Sequence, residues 1–334
     1  MTRFVAKRIK FLNGERHSVL SRVGGLPVHE ATLFLARFRT RGRKPNTVHR
    51  VCTTLALLYR WLHSSKIDLM GRLREGQCLT SPEVYRLGSA AQYRADEVAE
   101  EDATHEVKRQ VVDLHRVRMR RKVGAVRRRT VGAENHATRL RYFVAYLDFL
   151  VGYVATTLPR HLRLQLEEDS KQVLNILRAQ VPTVPGGGGL GSREGMSKED
   201  QELLLAIVRP NSPQNPWKRA FVRHRNWLIV VLLLATGMRR GELLNLQLSD
   251  LHPRKPLVSI VRRPHDPGDR RLIQPTPKTR ERVVELRPAI MKAVWKHIAL
   301  RGEIRAARKH GYLFVSEDGD ELGYKTIDGI FADC

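Results

Sequence analysis

Residues Asn226 to Leu251 read NWLIVVLLLATGMRRGELLNLQLSDL, and this stretch decides what the rest of the chain can be. An apolar run, Trp227 to Ala235, opens it. Thr236-Gly237 ends the run, because glycine reaches the left-handed backbone conformation on which helices stop. A second helical pattern is predicted after the break, with Met238, Leu243, Leu244, Leu246 and Leu248 as its apolar positions. Arg239 and Arg240 fall at the start of that second helix. A helix start presents free N–H groups and the positive end of a dipole, so it favours anions. An arginine held there is placed to take a phosphate with two parallel hydrogen bonds. Taken alone, the same residues also fit a core hairpin with two exposed arginines.

With its flanks, the stretch resembles the tyrosine recombinases, the phage integrase family. The family's hallmark is an apolar helix, then Thr-Gly-apolar-Arg, a Glu three residues on, and a Leu-rich continuation closing in Asp. Here Thr236, Gly237, Met238, Arg239, Glu242, Leu243 and Asp250 stand in that order.

Composition points the same way. The chain has 334 residues, enough for two domains with cores of their own. Lys and Arg number 60 against 34 Asp and Glu, a net charge of +26. That excess predicts a polyanionic partner, nucleic acid, and a strongly salt-dependent affinity. Hydrophobic residues make up 42%, which argues against general disorder. Cys52, Cys78 and Cys334 are too far apart for a zinc pattern or a disulfide framework, and a reducing compartment fits. The N-terminal stretch lacks the apolar core of a signal peptide, and Trp227 to Ala235 is too short to span a bilayer. A soluble, cytoplasmic protein is expected, nucleoid-associated if the source is prokaryotic.

Residues 1–25 are basic and are expected to form a poorly ordered arm. From Leu26-Pro27 a helical pattern runs with Leu33, Phe34, Ala36 and Phe38 as inward candidates. The turn RTRGRKPNT, Arg39 to Thr47, follows; Pro45 should end local regularity and Asn46 should cap the next helix. That helix, about 47–63, shows one apolar face through Val48, Val51, Cys52, Leu55, Leu58, Tyr59 and Leu62. Its Gly-x-x-x-Asn-Thr lead-in resembles the family's core-binding domain, a small helical (SAM-like) unit. With that resemblance and the charge, Arg41, Arg43, Lys44, Thr47 and Arg50 become candidate DNA contacts.

Ser81-Pro82-Glu83 is a plausible helix start. Arg116 to Arg129, RVRMRRKVGAVRRR, holds seven arginines and one lysine in fourteen residues. Such runs are usually solvated faces, but this one lies between helical patterns. Arg120, Arg121, Lys122, Arg127, Arg128 and Arg129 are therefore candidates for the DNA backbone, as is Arg139 on the amphipathic helix predicted over 135–151. Val181 to Gly195, VPTVPGGGGLGSREG, has two prolines and six glycines in fifteen residues and reads as a linker. The predicted division is a helical DNA-binding region over 26–180, long enough to hold more than a minimal core-binding domain, a linker over 181–196, and part of a catalytic domain over 197–334.

In that last region Ser197 to Asp200 forms a capping-box start. Leu257 to Arg262, Arg270 to Gln274 and Glu281 to Leu286 read as short strands. PTPKTR lies between the last two, with Lys278 at its tip. A helix is predicted over about 289–310 and another from Thr326. The fold class is mainly α, with one small antiparallel sheet in the second part.

The resemblance implies a reaction without metal or nucleotide cofactor. A tyrosine attacks a phosphodiester of double-stranded DNA, forms a 3′-phosphotyrosine and releases a 5′-hydroxyl. Two arginines would neutralise the phosphate oxygens and a lysine would protonate the leaving oxygen. Residue by residue, Arg239 stands at the first arginine and Lys278 at the lysine, with Lys255 and Arg280 as competitors; Glu242 would support local geometry. The second box, His-x-x-Arg, and the nucleophile are not found after Lys278. His297 and Arg301 are four apart and too early; Tyr324 has no second box before it; Tyr142, Tyr146 and Tyr153 fall in the helical first part. The sequence as it stands is expected to bind DNA without cleaving it alone, its C-terminal end being incomplete. The alternative is a non-catalytic DNA-binding protein that occupies recombination sites. The family's tetrameric synapse also implies self-association on DNA.

Overall fold

A computed structural model describes residues 4–93, 129–184, 195–275 and 280–334. It is mainly helical, with two small antiparallel sheets. Two compact units divide the chain, Met1–Ile9 with His17–Leu190 and Lys10–Arg16 with Gly191–Cys334.

β1 (Phe4–Lys10) and β2 (Arg16–Arg22) pair as a hairpin, with Phe4–Ile9 and His17–Arg22 in the first unit. Four longer helices follow: α1 (His29–Thr40), α2 (Pro45–Ser64), α5 (Ala133–Ala155) and α6 (Arg160–Ala179). The shorter α3 (Leu69–Arg74) and α4 (Ser81–Ala90) lie between α2 and α5 in sequence. The core is the merged apolar faces of these helices, with Phe34, Val51, Leu55, Leu58, Phe143, Tyr146 and Leu147 buried together. Leu33 is exposed and Leu35 takes the inward place instead.

Two expectations fail here for local reasons. The first 25 residues are not a loose arm over 4–22. Phe4 is buried against Tyr59, its carbonyl takes the Arg60 Nε–H at 2.9 Å, and Ser18 meets His49 Nδ1 at 3.0 Å. The basic side chains of β1 hide an alternating pattern that does find partners. Pro45 does not end regular structure but begins α2 at its first position, where its missing N–H costs nothing. Lys44 is the capping position, and Asn46 accepts from Arg8 Nη1 at 3.0 Å instead.

In the second unit, α7 (Lys198–Ile207) starts at Ser197, whose hydroxyl accepts the Asp200 N–H at 3.0 Å. The apolar run becomes α8 (Ala220–Thr236), buried along Leu228, Ile229, Val230 and Leu232. The predicted second helix is one turn, α9 (Arg240–Leu243), followed by a 3-10 turn at Leu248–Asp250. It stops early because the Asp250 carboxylate captures the Gln247 N–H at 2.8 Å, starting a new turn. β3 (Leu257–Ile260) pairs antiparallel with β4 (Arg282–Glu285), Ile260 opposite Arg282. Arg270 to Gln274 form no strand. Their polar groups go to side-chain bonds, Arg270 to Asp320 at 2.9 Å and Gln274 Nε2 to the Arg263 carbonyl at 2.7 Å. Then come α10 (Pro288–Gly302), which ends eight residues short of the predicted His310, and α11 (Tyr324–Ala332).

Lys10–Arg16 complete this second unit. Arg16 is buried, and its guanidinium donates to the carbonyls of Asp269 at 2.6 Å and Asp266 at 2.9 Å, and to Gln274 Oε1 at 3.1 Å. Gly14, at φ +84°, lies so close to the backbone of His265 and Pro267 that a Cβ would stand 2.2 Å from the His265 oxygen.

Candidate active site and nucleic-acid interface

The turn between α8 and α9 carries the principal candidate. Gly237 adopts φ +61°, and its N–H closes the helix on the Leu233 carbonyl at 3.0 Å. Thr236 Oγ1 donates back to the Leu232 carbonyl at 2.6 Å and accepts the Met238 N–H at 3.2 Å. Thr-Gly therefore does two jobs: it ends one helix and sets the direction of the next. Met238 turns inward, and Arg239 turns outward at the capping position of α9.

Glu242 fixes that position. It is 1% exposed, and its Oε2 accepts the Arg239 N–H at 3.0 Å. Arg282 of β4 holds the same carboxylate with both terminal nitrogens, Nη2 to Oε2 at 2.8 Å and Nη1 to Oε1 at 3.2 Å. This carboxylate raises the Arg282 pKa above its ordinary value. The Arg239 guanidinium itself makes no hydrogen bond or ion pair with the described residues. A charged, exposed group on a fixed backbone is left available to an external anion. Arg240, its neighbour, is taken up by Asp328 and by the ring of Tyr324 at 5.6 Å.

Lys278 lies outside the described residues, as do Arg120, Arg121, Lys122, Arg127 and Arg128. Arg282 is the residue that sequence reasoning missed. Its signal was the alternation of ERVVEL, which puts Arg282 on the face of Val284, partly buried against the core.

Around this turn a second buried acid is also neutralised. Asp250 is 4% exposed and pairs with Arg263, with one contact at 3.1 Å. On α10, His297 and Arg301 are buried rather than presented to solvent. Arg301 donates to the carbonyls of Tyr312 at 2.8 Å and Ala307 at 2.6 Å. The His297 ring stacks between Phe221, Phe314 and His224, and burial, with the neighbouring His224, pushes it down to about 3. Neither is presented to an open site.

On the first unit, Arg41, Arg43 and Lys44 are all exposed in the α1–α2 turn, and Thr47 and Arg50 lie on the first turns of α2. Arg50 Nη2 donates to Asn135 Oδ1 at 2.7 Å, tying α2 to the start of α5. Arg129 is exposed. Arg139 is different: its Nη1 donates to the carbonyls of Ala91 at 2.9 Å and Tyr93 at 2.6 Å, and burial lowers its pKa. It closes the end of α4 and is unsuited to the phosphate contact assigned from sequence.

Among the described residues no cluster of His, Cys, Asp or Glu could hold a metal ion, and no helix is long and apolar enough to cross a membrane. No curated protein sequence matches the chain. A solved structure described as the crystal structure of XerA recombinase is similar at 14% identity, over 91% of this chain and 74% of that one, with a TM-score of 0.32. Residues 195–334 match the model of the phage integrase family. Residues 195–334, which hold the Thr236-Gly237 turn and Arg239, thus form a phage integrase family domain, that of the tyrosine recombinases.

Proposed function

We propose that the chain acts on double-stranded DNA in site-specific recombination or integration, a reaction that runs through a 3′-phosphotyrosine intermediate. Arg239 holds the scissile phosphate and balances the charge that grows on its oxygens. Lys278 is the general acid for the leaving 5′-oxygen. Glu242 keeps the turn in place and takes no part in proton transfer. The observation that carries this reading is the exposed Arg239 guanidinium, unpartnered among the described residues, on a backbone anchored by a buried carboxylate.

In this reading 26–180 is a core-binding region, 181–196 a linker, and 197–334 the catalytic part. Arg41, Arg43, Lys44, Thr47, Arg50 and the basic run through Arg120, Arg121, Lys122, Arg127, Arg128 and Arg129 grip the DNA backbone. Copies of the chain associate on DNA, in the cytoplasm or nucleoid, and the reaction draws on neither metal nor nucleotide.

The test is to trap the covalent protein–DNA adduct on the element's own recombination site, with the protein as its cell makes it. Wild type should form the adduct. Arg239→Ala should lose it while changing affinity only a few-fold. An adduct retained by Arg239→Ala removes Arg239 from the chemistry. Tight binding by wild type with no adduct supports the other reading, a regulator that occupies recombination sites. Neutralising Arg127, Arg128 and Arg129 together should flatten the salt dependence of binding, by roughly 0.9 in slope for each phosphate they no longer neutralise. An unchanged slope places them away from DNA.

A further inference from the structure

Arg239 hangs from a turn, not from the interior of a long helix. α9 contains four residues, too few to be stable without outside support. The support is Glu242, whose side chain is fully buried and whose charge therefore needs a partner inside the protein. That partner comes from another element. Arg282 projects from β4, opposite Ile260 in the ladder, and closes a two-point fork on Glu242 at 2.8 and 3.2 Å. A fork fixes direction as well as distance, which a single hydrogen bond does not. The same Oε2 then receives the Arg239 N–H at 3.0 Å. Strand, carboxylate and turn form one linked series.

We infer that Arg282 is a positioning residue: acting through Glu242, it ties the Arg239 backbone to β4 and so sets how the Arg239 guanidinium meets a DNA phosphate. The inference rests on the reading of Arg239 as a phosphate-holding residue. It gives Arg282 a role that touching DNA does not explain. A lysine at that position supplies charge without the fork, so the geometry as well as the charge is at issue.

The salt dependence of binding to a mixed-sequence DNA duplex reports how many phosphates the protein neutralises, at a slope of roughly 0.9 for each. Arg239→Ala should flatten the slope by about that amount. Arg282→Met alone strands a buried carboxylate and can unfold the second unit. It is therefore combined with Glu242→Gln, whose amide oxygen can still accept the Arg239 N–H. Thermal melting verifies that the pair is folded. This double variant should flatten the slope as much as Arg239→Ala does, and adding Arg239→Ala to it should change nothing more. Arg282→Lys should flatten the slope as well. Three results overturn the role. A native slope in the double variant or in Arg282→Lys reduces Arg282 to a counter-charge. Additive flattening, about 1.8 in the triple variant, makes Arg282 a phosphate ligand itself. An unchanged slope in Arg239→Ala removes the phosphate-holding reading, and the positioning role with it.

Discussion

Thr80-Ser81-Pro82-Glu83 in the first unit and Arg239-Arg240-Gly241-Glu242 in the second are built on one plan. In both, the glutamate at the third helical position reaches back to the capping residue's N–H, at 2.8 Å from Thr80 and 3.0 Å from Arg239. In both, an arginine neutralises that glutamate, Arg72 for Glu83 and Arg282 for Glu242, each at 2.8 Å. They differ in the capping side chain. The Thr80 hydroxyl is an oxygen that can accept the Glu83 N–H and complete the box. A guanidinium has no acceptor to offer, so Arg239 leaves its half of the box undone and faces outward. The first box serves only its helix. The second gives up part of its own stability and presents a cation, which is the pattern expected where function overrides local preference.

The comparison can be broken at each of its parts. The largest effect belongs to Arg239→Thr, which gives the second box the residue of the first. Adduct formation should fall by about 10³-fold, the scale of losing one donor to a transition-state oxyanion. The melting temperature should not fall, and a gain of about 0.5–1 kcal/mol is expected from the new cap. Retained cleavage, or clear destabilisation, breaks the parallel.

Next come the two arginines. Arg282→Met removes the fork that neutralises a carboxylate with no solvent exposure, and should cost about 3 kcal/mol in denaturant unfolding. Arg72→Met should cost less, about 1–2 kcal/mol, because the Glu83 side chain retains 10% exposure and some hydration. Equal costs would mean that burial is not what separates the two boxes.

Acid acts on the second unit through His297. Its folded pKa is about 3 against an ordinary 6.5, so between those values the unfolded chain binds the extra proton. Stability therefore falls as pH drops from about 6.5 toward 3, by roughly 1.4 kcal/mol per pH unit. His297→Phe should remove that part of the slope in urea titrations at pH 5 and 7. His49 in the first unit, lowered to about 4 chiefly by burial and then by Arg8, leaves a residual acid sensitivity that the substitution does not touch. The smallest effect is at the cap itself: Thr80→Ala should cost about 1 kcal/mol, while Arg239→Ala should leave stability almost unchanged.

Much of this was legible in the residues. The faces of α2 and α5 follow from their apolar spacing, and Thr-Gly after an apolar run marks the end of α8 and the place of Arg239. Local pattern could not supply the partners. β1 carries Lys7, Arg8 and Lys10 among its seven residues, and their charges read as an arm until Phe4, Ser18 and Arg8 are seen against α2. Arg139 sits on a helix face as any DNA-binding arginine might, and only the carbonyls of Ala91 and Tyr93 give it away. Leu243, Leu244, Leu246 and Leu248 suggest a longer helix, because apolar spacing does not register the Asp250 bond that turns the chain. For Arg282 the alternation of ERVVEL gives the face but not the partner: nothing in a short strand names the Glu242 carboxylate 40 residues upstream.

The place of Arg16 bears on how the chain is made. Its hydrogen-bond partner Asp269 lies 253 residues downstream, so during synthesis this residue waits for most of the protein to emerge. Pairings of such sequence separation form late and slow the search for the native state. A fragment beginning at Gly191 would also lack residues 10–16. The carbonyls of Asp266 and Asp269 and the amide of Gln274 would be deprived of the cation they share, and the excised second half should be less stable than the same residues within the full chain.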